Sequence, residues 1–112
     1  MSVQDQLLIA HRRECEDRRR YVADLENLAE RLGADAERLR AEIRLAEANG
    51  AATTARQLIE RQAKLARSLD EIGEQLAGAR VALATAEQQL RSHELVPRGG
   101  ALAARRTSRR RR

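Results

Sequence analysis

The sequence contains almost no aromatic residues. Its 112 residues include no Trp, no Phe and a single Tyr, so Leu and Ala would have to build most of any core. Small-molecule sites are concave and lined mainly by apolar and aromatic side chains. No nucleophile–base pair, Gly-rich phosphate loop or Cys-x-x-Cys motif is present either. We therefore expect neither an enzyme nor a bound cofactor.

Cysteine and long apolar runs are equally scarce. A single Cys cannot form an internal disulfide, which argues against a stapled secreted scaffold. No uncharged apolar stretch is longer than the four residues of Leu7–Ala10, whereas a membrane-spanning helix needs about 20 residues. No apolar region of roughly 7–15 residues follows the N-terminus, as a secretory signal would require. These features predict a cytoplasmic protein without a transmembrane segment.

The positive charge is concentrated near the C-terminus. Residues 97–112 contain seven of the 22 basic residues and none of the 17 acidic ones, which leaves the first 96 residues at −2. This Arg-rich segment is predicted to be a disordered tail. It is suited to non-specific contact with nucleic-acid phosphates or an acidic membrane surface. The segment Leu95–Gly99 also matches a thrombin-type cleavage site, but the Arg-rich continuation favours a native sequence.

Heptad spacing of apolar residues predicts a first helix over residues 3–48. Ser2 is suited to cap its N-terminus, with Asp5 favourably placed three residues later. From Val22 onward, two heptad-spaced series are entirely apolar, which is typical of a coiled-coil seam. The series are Leu8, Cys15, Val22, Ala29, Ala36, Ile43 and His11, Arg18, Leu25, Leu32, Leu39, Ala46.

A second helix is predicted over residues 54–95. Thr54 and Gln57 fit the spacing of a capping box at its start. Pro97 ends it, because the residue before a proline avoids the α region. Its heptad series are Leu58, Leu65, Ile72, Ala79, Ala86, His93 and Gln62, Leu69, Leu76, Leu83, Leu90.

The predicted connector, Asn49–Thr53, is short enough to make the two helices antiparallel neighbours. Folding the chain about Ala52 places small residues opposite large ones, such as Ala36 opposite Leu69, so the seam can fill without overpacking. A register shifted by one heptad is the alternative. We therefore predict an all-α fold, a two-helix antiparallel coiled-coil hairpin over residues 1–96. Its expected core residues are Leu25, Leu32, Leu39, Leu65, Leu69, Ile72, Leu76 and Leu83.

Polar residues interrupt the seam at the end that carries both termini. His11 and His93 are expected to lie opposite each other, close to Cys15. Two His and one Cys can in principle bind zinc, but no carboxylate completes the set, and we predict no metal site. For Cys15 the simpler interpretation is a small apolar residue in the seam. An intermolecular disulfide is the alternative.

Basic residues cluster on the first helix, where Arg18 occupies a seam position. Acidic neighbours are interleaved with them, so one interpretation is a solvated face whose pairs contribute only a few tenths of a kcal/mol each. The functional interpretation is a surface that docks on an acidic protein groove. On that interpretation the partner-binding residues are Arg12, Arg13, Arg18, Arg19, Arg20 and Tyr21.

Two stretches of the chain resemble a known family, the flagellar type III export proteins of the FliJ type, which are related to the stalk proteins of injectisomes. The first stretch is Asp17–Glu26, continued by Leu39–Ile43. The second is Leu69–Leu83, continued by Leu90–Leu95. Together they cover about residues 7–95.

This resemblance implies a non-catalytic cytoplasmic hairpin similar to the two-helix part of the rotary-ATPase γ subunit. Such proteins sit in the centre of the hexameric export ATPase ring and help it to assemble. They also contact the export gate and substrate chaperones. The resemblance assigns no individual binding residue in this chain.

Two other functions fit the same sequence. The hairpin is suited to be a generic coiled-coil scaffold that pairs with itself into a four-helix assembly. Alternatively, the protein associates with nucleic acid through its Arg-rich tail. The body has neither the basic stripe nor the stacking aromatics that specific nucleic-acid recognition uses.

Overall fold

The computed structural model describes residues 2–95, which form two helices and the turn between them. Helix α1 runs over Val3–Ala48 and helix α2 over Ala52–Leu95. Neither helix in this part of the chain has an apolar window that would carry it through a bilayer. The predicted tail over residues 97–112 lies outside the described residues.

Helix α1 begins with the predicted cap. The backbone N–H of Asp5 donates to Ser2 Oγ at 3.1 Å, and the backbone N–H of Ser2 donates to Asp5 Oδ2 at 3.4 Å. Each side chain thus satisfies a backbone donor that the first turn leaves without an intrahelical partner. The carboxylate also lies at the positive end of the helix dipole.

The C-terminus of α1 is closed by a Schellman motif around Gly50. Gly50 has φ = 69°, the left-handed conformation that glycine adopts at little cost. Its N–H donates to the carbonyl oxygen of Glu47 at 3.1 Å, and the N–H of Ala51 donates to that of Ala46 at 2.9 Å. The predicted helix end at Asn49 and Gly50 is therefore confirmed.

The predicted start of α2 is wrong by two residues. The helix begins at Ala52 rather than Thr54, and the N–H of Ala55 already donates to the carbonyl oxygen of Ala51 at 2.9 Å. The Schellman turn reverses the chain so tightly that three residues suffice as a connector. The helix then extends by a further half turn and buries Ala55, which places Thr54 in the first turn instead of at the cap.

The described chain divides into two compact units, each built from a stretch of both helices. The first comprises residues 2–19 and 81–95, and the second comprises residues 20–80. In the first unit Arg12 pairs with Glu94 and Arg19 with Glu87. As the residue number rises along α1, the number of its partner on α2 falls, so the two stretches are antiparallel.

The second unit contains the hairpin turn and follows the predicted register. Leu39 and Leu65 line one groove, and Ala36 and Leu69 line another. These are pairs expected from folding about Ala52. Glu26 of α1 also pairs with Arg80 of α2, beside the expected pair Leu25 and Ala79, and a shift of one heptad would separate these two charges. The predicted all-α fold of two antiparallel helices is therefore confirmed.

The buried side chains follow the predicted seam, but small residues dominate them. In the first unit the buried apolar residues are Cys15 and Ala86. In the second unit they are Val22, Leu25, Leu39, Ile43, Ala46, Ala55 and Ala79.

Six of the eight expected core residues are only half-buried, the exceptions being Leu25 and Leu39. The half-buried residues are Leu32, Leu65, Leu69, Ile72, Leu76 and Leu83. Two helices cover each other along one side only. A long side chain in the seam therefore reaches past its neighbour to the edge, whereas Cys15 is covered completely and Ala46, Ala55, Ala79 and Ala86 almost completely.

Candidate partner-binding site

Two of the predicted partner-binding arginines are tied to α2 by ion pairs within the first unit. Arg12 Nη2 lies 3.6 Å from Glu94 Oε2, and Arg19 Nη2 lies 3.1 Å from Glu87 Oε2. The members of each helix are seven residues apart, so both pairs lie along the same edge of this unit. The side chains of both arginines remain about half exposed, at 53% each.

Arg18 is satisfied within its own helix. Its Nε and Nη2 donate to Glu14 Oε1 at 3.2 and 3.0 Å, and both side chains are 42% exposed. This contact explains how an arginine is tolerated at a seam position. An arginine can bury its alkyl stem while its guanidinium stays in water, and Arg18 is partly buried. Exposed pairs of this kind contribute between 0 and about 1 kcal/mol.

The remaining predicted residues divide between the two units. Arg13 belongs to the first unit, is exposed, and forms no ion pair with any residue between 2 and 95. Arg20 and Tyr21 belong to the second unit. Arg20 is exposed and has no ion-pair partner in the described chain, and Tyr21 is 52% exposed. The structure thus brings together Arg12, Arg13, Arg18 and Arg19 in one unit.

Two polar residues of the seam, one on each helix, form a stacked pair. The rings of His11 and His93 stack with centroids 4.3 Å apart and an interplanar angle of 29°, as their predicted opposition requires. Cys15 is free and completely buried, at 0% exposure. No group of three or more His, Cys, Asp or Glu side chains in the described chain is arranged to hold a metal ion.

Two open grooves lie in the second unit. The larger has a volume of about 470 Å³ and charged walls, which include Asp35, Glu42, Arg61 and Lys64. The smaller has a volume of about 360 Å³ and is mainly apolar, with Ile59 on its wall. Neither groove is lined by a His or Cys that would serve as a base or nucleophile.

Sequence reasoning did not identify Glu87 and Glu94 as the partners of the arginines. The signal was present, because these acids are seven residues apart on the second helix, as Arg12 and Arg19 are on the first. In the predicted antiparallel register they occupy facing edge positions. The mainly apolar groove beside Ile59 was missed because Ile59, Ala63 and Ala66, which line it together with seam residues, lie outside the seam.

No protein-family model, curated protein or solved structure matches this chain.

Proposed function

We propose that the protein is a non-catalytic cytoplasmic adaptor of the type III export apparatus that docks its arginine-bearing unit into an acidic groove of a partner. The partner that best suits it is the inner surface of an export ATPase ring. The export gate and substrate chaperones are further contacts. The support comes from the family resemblance over residues 7–95 and from the antiparallel helices of each unit.

The observation that carries this proposal is the contrast among the arginines of the first unit. Arg12 and Arg19 are held in place by Glu94 and Glu87. Holding these long side chains lowers the entropy cost of presenting their exposed N–H groups to a second acid. Arg13, between them in sequence, forms no ion pair within the described chain, and its full charge is available to a partner.

The test begins with affinity capture from the native cell and mass spectrometry, which should recover an export ATPase. Binding of the purified partner is then measured for Arg13→Glu and for the matched control Arg31→Glu. Arg31 is also exposed and without an ion pair among the described residues, but it lies in the second unit. Both variants change the net charge equally.

We expect Arg13→Glu to slow association about tenfold at low salt, and much less at high salt, because electrostatic steering is screened. Arg31→Glu should have little effect, and neither variant should change the melting temperature. Equal effects of the two variants would show that net charge alone matters. Unchanged binding for both would leave the arginines as a solvated face.

Nucleic-acid association through residues 97–112 stays an alternative prediction. It requires that binding to a phosphate polymer fall when this segment is deleted. Undiminished binding after the deletion would exclude it in this form.

A further inference from the structure

Helix α2 carries its charges in two blocks of opposite sign within the second unit. Residues 56–67 contain four basic residues and one acid, whereas residues 68–79 contain three acids and no basic residue. None of these charged side chains forms an ion pair with another described residue. The basic block contains Arg56, Arg61, Lys64 and Arg67, and the acidic block contains Asp70, Glu71 and Glu74.

The charges of the facing helix α1 do not neutralise the basic block of α2. Residues 37–48 of α1 contain three basic and three acidic residues, so they add no net charge beside the basic block. Arg40 and Arg38 are moreover paired with Glu37 and Asp35 of their own helix. The unit therefore keeps a positive stretch followed by a negative stretch along α2.

An uncovered, mainly apolar groove runs beside the basic block. Its volume is about 360 Å³, and it is lined by Ala36, Arg40, Ile59, Gln62, Ala63, Ala66 and Leu69. Ile59 is 48% exposed even though it is one of the larger apolar residues of α2. Covering this groove with another helix would remove apolar surface from water, which is favourable.

Beside the acidic block, α2 leaves room for a close neighbour. A Cβ atom placed on Gly73 would have no described atom within 4 Å. Packing within the described chain therefore does not require glycine there, although glycine inside a helix costs about 1 kcal/mol relative to Ala. The backbone at Gly73 is therefore open to a neighbour from outside the described chain.

We propose that a second copy of this chain docks antiparallel on this face of α2, with a two-fold axis near Asp70. On the helix surface, residues seven apart lie in one row, so Arg67 and Glu74 share a row, and Ala66 and Gly73 share another. The two-fold axis reverses the helix but keeps each row on its own side of the contact. It therefore brings Arg67 of one copy next to Glu74 of the second copy. It also places Ala66 opposite Gly73 of the second copy. By symmetry, each of these contacts is made twice.

Self-complementary charge identifies the occupant as a second copy. In this antiparallel pair, Arg67 at the end of the basic block meets Glu74 in the acidic block of the second copy, so opposite charges meet on both sides of the axis. A parallel pair would instead bring like charges together, which is destabilising. At the axis Asp70 meets Asp70 of the second copy, a local cost that Arg67 on both sides reduces. This surface lies in the second unit, and the proposal does not rest on the function proposed above.

The test measures dimerisation of the full-length protein by sedimentation velocity over a range of concentrations. The wild type should dimerise, and the dimer should weaken with salt. Arg67→Glu and Glu74→Arg should each weaken the dimer by roughly tenfold or more, because each substitution puts like charges in both symmetric contacts. A mixture of the two variants restores opposite charges in both contacts of the heterodimer, so dimers should form again.

Two further variants complete the test. Arg31→Glu reverses an exposed charge on α1 and should leave the dimer unchanged. Asp70→Asn removes the like charges at the axis and should strengthen the dimer several-fold. Circular dichroism confirms that each variant keeps its helices. A wild type that stays monomeric at low salt, or a mixture that does not form dimers, would overturn the proposal. Loss of partner binding through Arg13 would leave these outcomes unaffected.

Discussion

Leu25 and Leu39 are the large residues that the two helices cover most completely, at 6% and 7% exposure, whereas Leu32 is only half-buried. All three occupy the same heptad series, so the sequence predicts the same environment for each of them. The difference arises because no third helix is packed on the described pair. How far a leucine projects past its neighbour then decides how much of it water reaches.

Truncating these leucines should therefore have unequal effects. Leu39→Ala should lower the free energy of unfolding by about 2–4 kcal/mol, since it removes a buried side chain and leaves a cavity. Leu32→Ala should cost distinctly less, because part of its side chain is already exposed to water. Urea unfolding followed by circular dichroism measures both values. Equal losses for the two variants would contradict the burial difference.

Much of this seam could be predicted from heptad spacing, and the short connector added the antiparallel arrangement that places His11 opposite His93. Heptad spacing states which residues face the partner helix, but not how much surface that helix covers. Half-burial of Leu32 was therefore not predictable. The cross-helix partner Glu87 could have been predicted as well, because it faces the edge of Arg19 in the predicted register. Whether the arginine cluster binds a partner depends on a second molecule, so it stays a prediction.

At the scale of the helices, two glycines that look similar in sequence have opposite roles. Gly33 lies inside α1, and a Cβ atom there would meet nothing within 4 Å. Gly50 also has open space around it, but its φ of 69° belongs to the Schellman turn that ends the helix. Both glycines thus have space for a Cβ atom, and only the backbone conformation distinguishes Gly50 from Gly33.

Alanine substitution should separate these roles. Gly33→Ala should stabilise the protein by about 0.5–1 kcal/mol, because alanine loses less backbone entropy in a helix. Gly50→Ala should destabilise it by about 1–2 kcal/mol, because an L-residue is strained in the left-handed region. Thermal and urea unfolding at one protein concentration test both signs. Destabilisation by Gly33→Ala would indicate a neighbour on α1 that the isolated chain does not show.

At the scale of the whole molecule, the charge distribution separates two kinds of binding. The chain has a net charge of +5, but residues 97–112 contribute +7, so removing them leaves −2. Non-specific binding to polyanions should depend on residues 97–112, since such binding grows with the number of phosphates neutralised and falls steeply with salt. A partner site around Arg13 should instead depend on local charge within the first unit.

Deleting residues 97–112 should therefore weaken binding to a phosphate polymer by tenfold or more at moderate salt. Both helices and the ion pairs of Arg12 and Arg19 lie within residues 2–95, so the shortened chain should keep its helical signal and melting temperature. With the proposed export partner, Arg13→Glu should reduce binding by the same factor in the shortened chain as in the full chain. Fluorescence anisotropy across a salt series measures both interactions. If the effect of Arg13→Glu disappeared with the C-terminal segment, the segment rather than the first unit would carry partner binding.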